Sequence, residues 1–215
     1  MSQPNHPDPK AVRALRRRDP VLAKAMTRMP KFPGFPLQGG EAVGSHFQAL
    51  ARSIIFQQLA GAAARTIYGR VNRLTPGSRF PNARQILELP EEDLRGAGLS
   101  AGKFKSLRDL AARVDAKTLS LTSISRMDDA DIESALTEVH GIGPWTAQMF
   151  LLFRLGRLDV MAPGDLAIQE GLKRLDGLAE RPKPKALLER AELWRPLRSV
   201  ACWTLWRLTD NVSPD

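Results

Sequence analysis

The stretch LTEVHGIGPWTAQMFLLF, residues 136–153, decides how this chain is read. It is apolar and helix-like at both ends, but Gly141 and Gly143 interrupt it, and Pro144 and Trp145 follow at once. Glycine tolerates positive φ and lets another backbone come close. Proline is best accommodated at the first position of a helix. The pattern therefore predicts a helix, a very tight turn and a second helix, with amide N–H groups exposed at the second start. A helix N-terminus of this kind attracts phosphate.

The whole chain supports an anionic partner. It has 215 residues and a formal net charge of +9, with a sequence pI near 10.3. A surface this basic suits a polyanion such as a nucleic acid. The single cysteine, Cys202, excludes an internal disulfide, a four-cysteine zinc site and an iron–sulfur cluster held by the chain's own cysteines. It lies in VACWTLW, which reads as inert core. No apolar run is long enough to span a membrane, and the first residues lack the apolar core of a signal peptide. A cytoplasmic monomer, nucleoid-associated in a prokaryote, is the default expectation.

Strand signals are scarce and helical periodicity recurs, so the fold class is all-α. Twelve helices are expected: Pro9–Arg17, Pro20–Met29, Val43–Gln57, Gly61–Leu74, Asn82–Glu88, Pro90–Gly96, Ala101–Val114, Asp128–Glu138, Pro144–Leu155, Leu166–Leu175, Lys185–Leu193 and Leu197–Thr209. MPKFPGFPLQGG, residues 29–40, reads as a linker or surface loop, and Asp128 as an N-cap.

The longer pattern L-x-x-V-x-G-I-G-P-W-T-A, Leu136 to Ala147, resembles the helix-hairpin-helix DNA-binding motif. The resemblance implies DNA-backbone contacts at Gly141, Gly143 and Thr146, which position a protein without reading sequence. It also implies a monovalent cation, Na+ or K+, on the backbone carbonyls of Thr137, Val139 and Ile142.

The stretch DVMAPGDLAIQEG, residues 159–171, places Asp165 a little over twenty residues after Gly143. Asp165 follows Pro163 and Gly164 and opens a helical pattern, so its ordinary role is an N-cap. The spacing resembles that of the helix-hairpin-helix DNA glycosylases, above all their alkylpurine branch, the 3-methyladenine DNA glycosylase II type. There a Gly/Pro-rich loop and a catalytic aspartate follow the hairpin, and Asp165 is the match. Members that also cut the strand carry a lysine two residues after the second hairpin glycine. Here that position is Trp145, and no lysine occurs from Leu136 through Glu170. The resemblance thus implies a monofunctional enzyme that uses water and leaves an abasic site.

Further matches follow the same resemblance. Trp145 takes the place of a base-stacking tryptophan, and Met149 that of a pocket tyrosine. In RSIIFQQLAGAAART, residues 52–66, Gln57 would line the base pocket and Gln58 would enter the duplex as a wedge. In GLSAGKFKSLRDLA, residues 98–111, Lys103 and Lys105 are candidate phosphate contacts, although an exposed basic helix is the plainer reading. Trp206 aligns with a tryptophan near the catalytic site, whereas Trp194 and Trp203 read as core. The expected architecture is two helical lobes with a DNA-binding cleft between them. One lobe takes 1–41 and 161–215; the middle lobe takes 42–160, with the hairpin motif at 128–155. The implied partner is damaged double-stranded DNA, with no membrane and no required cofactor. A helix-hairpin-helix DNA-binding module without catalysis is the alternative.

Overall fold

The structure is a computed structural model that describes residues 4–36, 44–77 and 79–210. The described residues form α1 Pro9–Arg18, α2 Pro20–Thr27, α3 His46–Phe56, α4 Gly61–Asn72, α5 Ala83–Glu88 and α6 Glu91–Gly96. The chain continues with α7 Ala101–Asp115, α8 Asp129–Thr137, α9 Pro144–Phe153, α10 Leu166–Asp176, α11 Pro184–Ala191 and α12 Arg198–Asp210. Short 3₁₀ turns occupy Ile124–Arg126 and Glu192–Trp194. Among the described residues there is no strand, only an isolated bridge between Asn5 and Phe35. Among the described residues no helix is long and apolar enough to cross a membrane. Each expected helix is present, its ends within three residues of the sequence reading. Val43, at the start of one expected helix, lies outside the described residues, as does the 37–40 part of the expected linker.

Side-chain caps explain half of the twelve helix starts. Asp8, Asp19, Ser45, Asn82, Ser100 and Asp165 each accept a backbone N–H from the first turn of the helix they precede. Asn82 and Gln85 form a reciprocal capping box. Asp128 occupies the N-cap position of α8, but its side chain makes no capping bond there.

The chain falls into two compact units: Met1–Gln38 with Leu151–Asp215, and Gly39–Phe150. The sequence reading placed residues 151–160 in the middle lobe. In the structure they belong to the first unit, and residues 157–160 bond to α12: Val160 donates its N–H to Ser199 Oγ at 3.0 Å, Ser199 donates its own N–H to the Leu158 carbonyl at 3.0 Å, and its hydroxyl donates to the Arg157 carbonyl at 2.7 Å. Ser199 is buried, so these bonds form away from water.

In the first unit α10 and α12 pack backbone to backbone. A Cβ at Gly171 would collide with the Leu205 carbonyl oxygen, so glycine is required by the close approach. The core holds Leu15, Leu22, Phe35, Ile168, Leu172, Trp194 and Cys202. Burial pushes the Cys202 thiol up to about 12. In the second unit Leu50, Ile54, Ile55, Leu107, Leu110 and Leu136 are fully buried.

A polar cluster ties the first unit together. Asp19 is 3% exposed. It accepts from the Leu22 N–H at 2.9 Å, from the Trp194 indole at 2.7 Å and from Arg190 at 2.7 Å. Arg190 also binds Asp176 at 2.8 Å. Burial works against the Asp19 charge, but the Leu22, Trp194 and Arg190 donors outweigh it and hold the carboxyl below its ordinary value. Removing one partner of a buried pair leaves an uncompensated charge, so Asp19→Ala is expected to lower the unfolding free energy by about 3 kcal/mol in urea titration. Because the folded-state pKa is depressed, this contribution is fully present above about pH 4 and is lost as the pH falls through the folded value.

Candidate functional site

The helix-turn-helix predicted from 136–153 is formed by α8, the turn 138–143 and α9, and lies in the second unit as far as Phe150. Gly141 has φ +79°. A Cβ there would also run into Ser106 on α7, whose Oγ lies well inside contact distance and whose own Cβ is 3.1 Å away. Gly141 is thus dictated from within the molecule. Gly143 is different: its φ is not positive, and an added Cβ would meet nothing within 4 Å. The fold leaves open space beside Gly143, next to the start of α9, where a bound anion would meet backbone amides.

The side chains on α9 are graded in exposure. Trp145 is 47% exposed, Met149 is half-buried, and Leu152 is fully buried. The face of α9 that carries these three residues, spaced four and three apart, therefore runs from surface to core, and Leu152 belongs to the core. Thr146 is 5% exposed, so its hydroxyl is not displayed at the surface. Val139 accepts the N–H of Ile142 at 3.0 Å, which closes the turn.

The two glutamines sit in the break between α3 and α4, and they differ. Gln57 terminates α3 and donates its side-chain amide to the Gly141 carbonyl at 3.0 Å. Gln58 has φ +54°, a left-handed conformation rare for a residue with a side chain, and it is exposed. Leu59 beside it is 38% exposed.

Lys103 and Lys105 also diverge. Lys105 is exposed. Lys103 instead turns its ammonium onto the Ile55 carbonyl at 2.7 Å, and burial lowers its pKa below that of an ordinary lysine. Asp109, two turns on, accepts the His140 N–H at 2.7 Å and the Arg113 guanidinium at 3.1 Å; Arg113 also reaches Glu138 at 3.1 Å. Sequence reasoning missed Ser106 and Asp109. The available signal was their spacing, three residues apart in a run from Lys103.

In the first unit Asp165 caps α10. Its Oδ1 accepts from Ala167 at 2.9 Å, from Ile168 at 3.0 Å and from the Trp206 indole at 3.2 Å. Trp206 stacks on Phe153, with centroids 5.5 Å apart and planes 23° from parallel. Asp165 and Trp206, both picked out in the sequence, are therefore in direct contact. The preceding loop is held by the Ser199 bonds and by the Cys202 thiol, which donates to the Val160 carbonyl at 3.4 Å.

The two hairpin glycines should respond differently to substitution. Gly141→Ala is expected to destabilise the protein by about 1–3 kcal/mol, from the positive φ and the encroachment on Ser106. Gly143→Ala should cost about 1 kcal/mol or less, because the space is open. Its effect should appear as weaker retention of duplex DNA in a filter-binding assay, with thermal unfolding measured in parallel.

Comparison with known proteins agrees with this geometry. Residues 51–196 match the family model described as HhH-GPD superfamily base excision DNA repair protein. DNA-3-methyladenine glycosylase 1 of Schizosaccharomyces pombe is 33% identical over 172 residues, covering 78% of this chain and 75% of the relative. The crystal structure of a DNA-3-methyladenine glycosidase from Bacillus halodurans is similar with a TM-score of 0.84 at 33% identity, covering 98% of this chain and 94% of that one. The S. pombe 3-methyladenine DNA glycosylase in complex with abasic DNA gives a TM-score of 0.79 at 28% identity, covering 95% and 98%. This chain belongs to the HhH-GPD superfamily of base excision DNA repair proteins.

Proposed function

We propose that this protein is a monofunctional DNA glycosylase that hydrolyses the N-glycosidic bond of alkylated purines flipped out of duplex DNA. The observation that carries the proposal is Asp165, a carboxylate fixed by two helix amides and an indole. It occurs in a chain with tryptophan where strand-cutting members of the superfamily carry lysine. The names of the relatives, enzymes matched over about three quarters of the chain, favour catalysis over a hairpin module that only binds.

The chemistry follows from charge. As the C1′–N bond breaks, its electron pair leaves with the base and positive charge develops on the deoxyribose. A preorganised carboxylate beside C1′ stabilises that charge. Water then bonds to C1′ and loses its proton to Asp165 or to solvent, leaving an abasic sugar. A base already alkylated to a cation becomes neutral on departure, so it leaves without a strong general acid. Extrusion of the base leaves a gap in the stack. Gln58 is the exposed residue at the tip of its turn, suited to fill that gap and hydrogen-bond the orphaned partner. The exposed Trp145 offers an indole face to a cationic base, with Met149 beside it on the same helix. Trp206 orients Asp165 and forms part of the apolar wall near it.

Backbone contact falls to Gly143 and the first turn of α9, with Lys105 exposed on α7. A monovalent cation at the hairpin would take the carbonyls of Thr137, Val139 and Ile142; the Val139 oxygen, which accepts from the Ile142 N–H, retains a second lone pair for it. Such an ion would add positive charge beneath a phosphate.

The test is base release from methylated duplex DNA under single-turnover conditions. Wild-type protein is expected to release 3-methyladenine or 7-methylguanine. Asp165→Asn should reduce the rate by at least ~100-fold, because a charge at the reacting centre is lost. Asparagine can still accept the cap bonds, so folding and DNA affinity should stay within about twofold. Equal rates in the two proteins would refute the assignment.

A further inference from the structure

One face of α7 carries Lys103, Ser106, Asp109 and Arg113, spaced three, three and four residues apart. Each touches a segment that the proposed function places against DNA. Lys103 holds the last turn of α3, just before the Gln57–Gln58 break. Ser106 sits against Gly141. Asp109 fixes the His140 amide, and Arg113 reaches Glu138. Gln57 then links the two segments, donating to the Gly141 carbonyl.

We propose that α7 is the positioning element for both DNA-facing segments of its unit, and that Lys103 acts through the Gln57–Gln58 turn rather than on a phosphate. The inference rests on the glycosylase reading. It is carried by where Lys103 puts its charge. The last carbonyls of a helix lack internal partners, and a cation suits that negative end. The Ile55 carbonyl is such a group, and Ile55 is fully buried. The turn that follows has few other supports: Gln58 holds a positive φ, and Ala60 starts α4 without a side-chain cap. A strained residue persists only where its flanks over-determine it. Lys103 supplies that restraint on the α3 side, and the Gln57–Gly141 bond supplies it on the hairpin side.

The experiment uses the full chain and a duplex with one 7-methylguanine flanked by 2-aminopurine, whose fluorescence rises when stacking is lost. Lys103→Met removes the donor at nearly constant length. It is expected to slow single-turnover release about tenfold, the cost of a buried carbonyl left unpaired, and to reduce the fluorescence rise. The slope of log affinity against log salt should not change. Lys105→Met should lower that slope by about 0.9, the value for one lost phosphate contact. In a Gln58→Ala background, Lys103→Met should change the rate less than about twofold, because both act on the same step. Lys103→Arg should restore most of the rate.

A lowered salt slope for Lys103→Met with an unchanged rate would overturn the proposal in favour of a phosphate contact. Full additivity with Gln58→Ala would overturn it in favour of a purely structural bond. Lys103→Gln stays polar, which guards against a variant that fails to fold, but is one atom too short to reach the Ile55 carbonyl as lysine does, so the same non-additivity is expected of it. If wild type releases no base, the glycosylase reading itself fails. The fluorescence still shows whether Lys103 controls entry of the turn into the duplex: equal signals in wild type and Lys103→Met would overturn the proposal.

Discussion

Helix α7 approaches the turn at Gly141 so closely that the protein has no room for a side chain there. Much of the second unit follows from that constraint. The backbone must take a left-handed step at Gly141, which reverses the chain within a few residues and lets α9 start at Pro144. The same proximity brings the His140 amide within reach of Asp109 and the Gly141 carbonyl within reach of Gln57. A bulkier residue at 106 or 141 would separate these groups together, since packed interfaces shift as units rather than atom by atom.

The first unit solves a different problem. Its candidate catalytic carboxylate, Asp165, is held in place while staying partly exposed. Capping α10 achieves this, because two amides and an indole converge on one oxygen of a partly exposed group. The loop that delivers Asp165 is fastened to α12 by a buried serine, and α12 is fastened to α10 through Gly171. Position is inherited from packing, one element at a time.

The sequence revealed the helices because their caps and apolar periods are local. It pointed to Asp165, Trp145 and Trp206 as candidates because a recognisable pattern surrounds each of them, and the contact between Asp165 and Trp206 is what the structure adds. It did not reveal the direction of a long side chain. Lys103 and Lys105 lie two residues apart on the same helix, and the chain alone gives both the same chemistry; burial of Ile55 and the end of α3 separate them. Thr146 likewise reads as a small polar residue at a helix start, yet the fold buries it. The Gln57–Gly141 bond joins residues 84 apart in the chain, and only the tertiary fold brings them together. The two glycines of the hairpin look equivalent in the sequence, and the structure distinguishes one needed by its own neighbours from one with empty space around it.

Cys202 carries one last consequence. It is the chain's sole cysteine, fully buried beneath the loop that leads to Asp165, with a thiol raised to about 12. Thiol reagents react with exposed thiolates, and this group offers neither the exposure nor the charge near neutral pH. The native protein is therefore a silent background for labelling. A single cysteine introduced on the surface would be the one reactive handle on the molecule, so a fluorophore or spin label could report motion at a chosen point without first replacing a native residue.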